Sequence, residues 1–122
     1  MLLWDTDGVI LALFTPETWR VALSGYPLPE ARQPGAWWTA GFIDTHVHYP
    51  QTEIIGSASG PLLDWLDTSV FPEEARFAEA EYDDQVAQRF TQALLSQGTT
   101  GAAIFSSSHV SATDTLFREI GR

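Results

Sequence analysis

Cysteine is absent from this 122-residue sequence, methionine occurs once and histidine three times, and six lysine and arginine residues stand against sixteen aspartates and glutamates. Without thiols there can be no disulfide and no thiolate metal site, so any metal must be held by nitrogen and oxygen ligands. The formal charge of −10 gives a surface that repels phosphate backbones, which argues against nucleic acid as a partner. No stretch comes near the roughly 18 uninterrupted apolar residues that a membrane span requires. The apolar start, MLLWDTDGVILALF, has Asp5 and Asp7 within it and no basic region before it, so it does not read as a signal peptide. A cytoplasmic protein with no membrane partner is the expectation.

What is present fits a folded domain: 44% of the residues are hydrophobic and 18% charged, a balance of globular rather than disordered chains. The Asp-Gly step of DTDG lies between two apolar runs and predicts a hairpin. Thr15 and Pro16 are placed to open a short helix, and the proline-rich SGYPLPEARQPGAWW reads as loop. From Gly41 the pattern is regular. GFIDTHVH is strand-like, PLLDWL is a helical turn with Leu62, Leu63 and Leu66 on one side, and Pro72 predicts a break. Tyr82, Val86, Phe90 and Leu94 recur every four residues, after an acidic start from Glu79 to Asp84 that reads as dipole compensation on a solvated face. Gly98 follows that helix, and TTGAAIF reads as a strand buried on both faces. A last helix carries Leu116, Phe117 and Ile120, with Ser111 and Asp114 at capping-box spacing and Gly121 at its end. The β-α-β-α order implies parallel strands joined by a right-handed crossover, with ligands at their carboxyl ends. Two segments are expected: a β/loop segment of residues 1–40 and the βα units of residues 41–122.

The histidines raise the functional question. Side chains alternate along a strand, so Asp44, His46 and His48 share one face while Ile43, Thr45 and Val47 share the other. In an α/β barrel the polar column would point inward at the end where active sites sit, bringing two imidazoles to one point as a metal ion needs. The spacing alone also fits two exposed or hydrogen-bonded histidines, because two ligands do not complete a metal site. Asp44 is either a partner that orients a ligand or an ordinary polar contact. His109 follows the second strand and reads as a loop histidine at the start of the last helix.

The run GFIDTHVHYPQTEIIG, Gly41 to Gly56, resembles the first barrel strand of the amidohydrolase superfamily, whose mark is Gly-Phe/Leu-Ile/Val-Asp-x-His-x-His. With FPEEARFAEAEY and LLSQGTTGAAIF after it, the chain from Gly41 to Arg122 is similar to the guanine deaminase family of that superfamily. The resemblance implies an α/β fold, the N-terminal part of a (β/α)8 amidohydrolase barrel of about two βα units, preceded by a short β segment. It implies that His46 and His48 are the first two zinc ligands, that Gln51 hydrogen-bonds the guanine edge, and that Tyr49 and Pro50 shape the wall beside it. Without the resemblance, Gln51 would read as a solvated loop amide. The implied reaction is hydrolytic deamination of guanine to xanthine and ammonia by a zinc-activated water, in purine catabolism.

The remaining zinc ligands and the proton shuttle are expected on later strands, so no catalytic residue is expected among these 122. A barrel of this kind takes roughly 250 residues, and the chain is expected to be an N-terminal piece, inactive alone and homodimeric at full length. Ala40 departs from the pattern, which has proline there. The other zinc deaminase design, H-x-E with P-C-x-x-C, is excluded by the absence of cysteine. Two alternatives stay open: an amidohydrolase that deaminates or dechlorinates a different heterocycle, and a truncated product without catalysis.

Overall fold

A computed structural model describes residues 1–25 and 37–121. The chain divides into two compact units, Met1–Trp37 and Trp38–Arg122. In the first, strands β1 (Leu2–Trp4) and β2 (Ile10–Leu13) pair antiparallel, with Leu2 opposite Leu13. The Asp5 carboxylate accepts the Asp7 and Val9 N–H groups at 3.0 and 2.8 Å, which makes the expected hairpin turn without a tight two-residue loop. Thr15 opens a turn rather than a helix: its N–H donates to the Thr18 hydroxyl at 3.1 Å, and helix α1 (Trp19–Ala22) begins one turn later. The loop expected after it lies mostly outside the described residues.

The second unit is built on a parallel pair, β3 (Phe42–His48) and β4 (Thr99–Phe105). Parallel strands cannot be joined by a tight turn, so a crossover must travel back along the sheet. It does so through a 3-10 turn (Tyr49–Ile54), a helical run α2 (Leu62–Trp65) to α3 (Phe71–Ala75), a second 3-10 turn (Arg76–Ala78) and α4 (Ala80–Ser96). Helix α5 (Val110–Ile120) follows β4. Val86, Ala87 and Phe90 of α4 pack with Ala112 and Leu116 of α5, and Val47 and Ile104 of the sheet rest against them. Each large apolar side chain so buried contributes about 1.5–3 kcal/mol.

Several expectations are corrected. Pro72 does not break the helical run, because the turn before it, Leu66–Val70, widens to a π-helix; such a turn removes the clash between a proline ring and the carbonyl four residues back. Leu62 and Leu63 are exposed. Among the described residues strand β4 is covered on one face: Ile104 meets the core, whereas Phe105 is 51% exposed. The capping box is not formed, because α5 starts at Val110 and puts Ser111 inside its first turn. The buried face of α5 is Ala112, Thr115 and Leu116, and Phe117, a hundred degrees further round, is 71% exposed.

Two glycines set the return of the chain into the sheet. Gly98 has φ +80°, donates its N–H to Leu95 at 2.9 Å and accepts from the Phe42 N–H at 2.8 Å, so it ends α4 and joins the start of β3 at once. A Cβ on Gly41 would overlap the Thr100 side chain, whose own Cβ would lie 2.6 Å away. We expect Gly98→Ala to lower stability by about 1–2 kcal/mol and Gly41→Ala by about 1–3 kcal/mol, measured by urea unfolding followed by far-UV circular dichroism. Adding Thr100→Ala to Gly41→Ala should recover only part of the loss, because the Thr100 Cβ remains.

Candidate functional site

Strand β3 carries His46 and His48 at its carboxyl end. Their Nε2 atoms are 3.0 Å apart, and both rings lie against Phe105 of β4, with centroids 4.7 and 4.8 Å away; the His48 ring is stacked on it. Val47 between them turns to the core. The register shifts between Asp44 and Val47, and there the Asp44 carboxylate accepts the His46 backbone N–H at 3.0 Å. Asp44 thus satisfies the irregular backbone: it bonds the chain and not an imidazole.

The 3-10 turn continues directly from His48. Tyr49 and Pro50 are buried, and the Tyr49 ring meets Phe77 edge-on at 5.0 Å and Phe90 at 5.4 Å. Its hydroxyl donates toward the Asp83 carboxylate at 2.5 Å and lies 2.9 Å from the Asp83 carbonyl oxygen. The Thr52 hydroxyl donates to the Tyr49 carbonyl at 2.7 Å, closing the turn. Gln51 faces the other way, with Nε2 3.4 Å from His48 Nδ1. Glu53 pairs with Arg89 of α4 at 2.9 Å.

His46, His48 and Gln51, together with Phe90, Leu94 and Gln97, line an open groove of about 460 Å³. The structure thus brings His46, His48 and Gln51 together, and places Tyr49 in the core rather than among the residues lining this groove. Among the described residues no group of three or more histidine, aspartate and glutamate side chains is arranged to hold a metal. His109 stands at the N-cap position of α5 without a side-chain cap bond, and its backbone N–H donates to the Ser107 hydroxyl at 3.2 Å.

The acidic start of α4 is not wholly a solvated face. Asp83 is 1% exposed, and Glu73 of α3 is 7% exposed. Glu73 accepts from the Tyr82 hydroxyl and pairs with Arg76 at 3.0 Å, while the Arg76 guanidinium sits over the Tyr82 ring. The signal for Asp83 was in the spacing: it lies three and four residues before Val86 and Ala87, on the apolar stripe.

The sequence model of the Amidohydrolase family matches residues 37–122. A probable guanine deaminase of Deinococcus radiodurans is 49% identical over 79 residues, covering 65% of this chain and 18% of that protein. The guanine deaminase of Escherichia coli is 43% identical over 77 residues, covering 63% of this chain and 18% of the relative. The crystal structure of guanine deaminase from Bradyrhizobium japonicum superposes with a TM-score of 0.76 at 38% identity, over 96% of this chain and 25% of the other. The chain thus spans about a fifth of the length of the curated relatives it matches.

The buried Tyr49 and the half-buried Tyr82 have consequences at high pH. Burial first, and then the hydrogen bonds to Asp83 and Glu73, push Tyr49 and Tyr82 well above the ordinary 10.0. The folded chain holds these protons more tightly than the unfolded chain, so their stabilisation is full below about pH 10 and is lost as pH rises above it. Near pH 11, where a free phenol is about 90% ionised, the 295 nm absorbance of the folded protein should show no more than one of its three tyrosines ionised. Ionisation of all three before unfolding would contradict the pairs of Tyr49 with Asp83 and of Tyr82 with Glu73.

Proposed function

The chain belongs to the amidohydrolase family, and on that premise we propose that it supplies two βα units of a (β/α)8 barrel whose reaction is the hydrolytic deamination of guanine to xanthine and ammonia. The observation that carries this reading is the junction of β3 with the turn after it. There two imidazole nitrogens converge at 3.0 Å and an amide stands beside them in the lining of the same groove.

The donor set fits zinc. Two nitrogens bonded to one zinc at about 2.0–2.1 Å lie at most ~4 Å apart, and the His46 and His48 Nε2 atoms fall well inside that limit. When bound there, zinc supplies Lewis-acid activation of water near neutral pH. His46 and His48 would hold it as neutral imidazoles with their protons on Nδ1. The Gln51 amide can turn its oxygen to the His48 Nδ1 proton and keep its NH2 group for the purine edge, since it offers both donor and acceptor. Tyr49 and Pro50, buried under the turn, act on the substrate through the backbone they hold and not by contact. Phe105, stacked on His48, keeps water from that side of the ring. In this reading the proton shuttle and the remaining ligands come from segments outside the sequence described.

The test is a chimera in which residues 41–121 replace the aligned segment of the E. coli relative. We expect zinc-dependent conversion of guanine to xanthine, followed by absorbance, and its loss in His46→Ala and in His48→Ala. Gln51→Ala should raise KM for guanine about tenfold, the size of one lost hydrogen bond of roughly 1.5 kcal/mol. A folded, zinc-loaded chimera that leaves guanine untouched overturns the proposal. The 122-residue chain alone should show no measurable turnover, because two nitrogen donors do not complete a zinc site.

A further inference from the structure

The Tyr49–Asp83 pair is buried more completely than packing needs. Tyr49 is 0% exposed and Asp83 1%, and the Tyr49 ring already has Phe77 and Phe90 against it. For stability alone an apolar residue at position 83 would serve as well or better, since burying a carboxylate carries a desolvation cost. What the carboxylate adds is direction. A ring held only by apolar neighbours is free to slide between them, whereas a hydroxyl aimed at a carboxylate at 2.5 Å has a fixed depth and orientation.

That fixed point has a close neighbour. Tyr49 follows His48 directly and precedes Gln51 by two residues, within one short turn. The turn is tied again to α4 at its far end by Glu53 and Arg89, an exposed pair that adds little energy but holds the same helix to both ends. Asp83 itself lies in the first turns of α4, where the helix dipole favours a carboxylate.

We propose that Asp83 is a positioning residue: through the Tyr49 hydroxyl it fixes the turn that sets His48 and Gln51 facing one another. The proposal rests on the reading of those two residues as the site. It predicts that removing the hydrogen bond disturbs the site more than it disturbs the fold.

The control is Tyr82→Phe, which also deletes one hydroxyl bonded to a carboxylate, half-buried between α3 and α4. The 15N-labelled 122-residue chain would be compared as wild type, Tyr49→Phe, Asp83→Asn, Asp83→Ala and Tyr82→Phe. The readouts are the His48 ring and Gln51 side-chain signals without metal, and zinc affinity by calorimetry. Tyr49→Phe and Asp83→Ala should shift both sets of signals and weaken zinc binding about tenfold, as loss of a supporting contact does. Asp83→Asn keeps the Oδ1 acceptor and should stay near wild type. Tyr82→Phe should leave the site signals and the zinc affinity unchanged. If Tyr49→Phe behaves like Tyr82→Phe, the pair is structural only and the proposal is wrong. If Asp83→Ala does not fold, Tyr49→Phe, which lacks a single oxygen, decides. If two nitrogen donors hold too little zinc for calorimetry, the metal-free spectra alone decide the role of Asp83.

Discussion

Two strands that run the same way cannot be closed by a hairpin, and from Trp38 onward this chain is organised by that constraint. The return from the end of β3 to the start of β4 needs the length of a helix, and α4 provides it, laying Val86, Ala87 and Phe90 against the sheet. Because β3 and β4 are parallel, both carboxyl ends lie on one side. His46, His48 and the 3-10 turn therefore share that side with the Ser106–His109 segment after β4. The site is a consequence of the pairing before it is a consequence of any side chain.

Tyr49 is where the core and the site meet. One residue earlier the chain presents an imidazole, two residues later an amide, and between them a phenol ring is sunk among Phe77 and Phe90. Such an arrangement transmits the rigidity of the packed helices to groups that stand in an open pocket. Function-bearing groups are held best when their neighbours in the chain are locked by packing, and here a single peptide unit separates the two roles.

Much of this was legible in the residues. The period of four through Tyr82, Val86, Phe90 and Leu94 located α4, and TTGAAIF coincides with β4 throughout its length. The alternation through Asp44, His46 and His48 put the two imidazoles on one face, where the structure has them 3.0 Å apart. What misled were features whose outcome depends on partners distant in sequence. A tyrosine after H-x-H can turn to the pocket or to the core, and Asp83, 34 residues away, directs it to the core. Asp83 was hidden among Glu79, Glu81 and Asp84, because a run of acids reads as solvated until one is placed on the apolar stripe. Pro72 suggested a break, since local reasoning does not foresee that the preceding turn will widen. The two-faced burial expected of TTGAAIF needs a second layer, and among the described residues α4 and α5 cover one face.

The two ends of the strand pair differ in how much change they can absorb. At the amino end, Gly98 closes α4 and takes the Phe42 N–H into its own carbonyl, and Gly41 and Thr100 stand too close for another atom. An inserted residue there would shift the register of both strands at once. At the carboxyl end, Ile55–Gly60 lies between the 3-10 turn and α2, exposed and outside any helix or strand, so its length can vary without moving β3 or β4. Descendants of this sequence are thus free to reshape what surrounds the histidines while the opposite end is held to its present length, and diversity among relatives should accumulate on one side of the sheet.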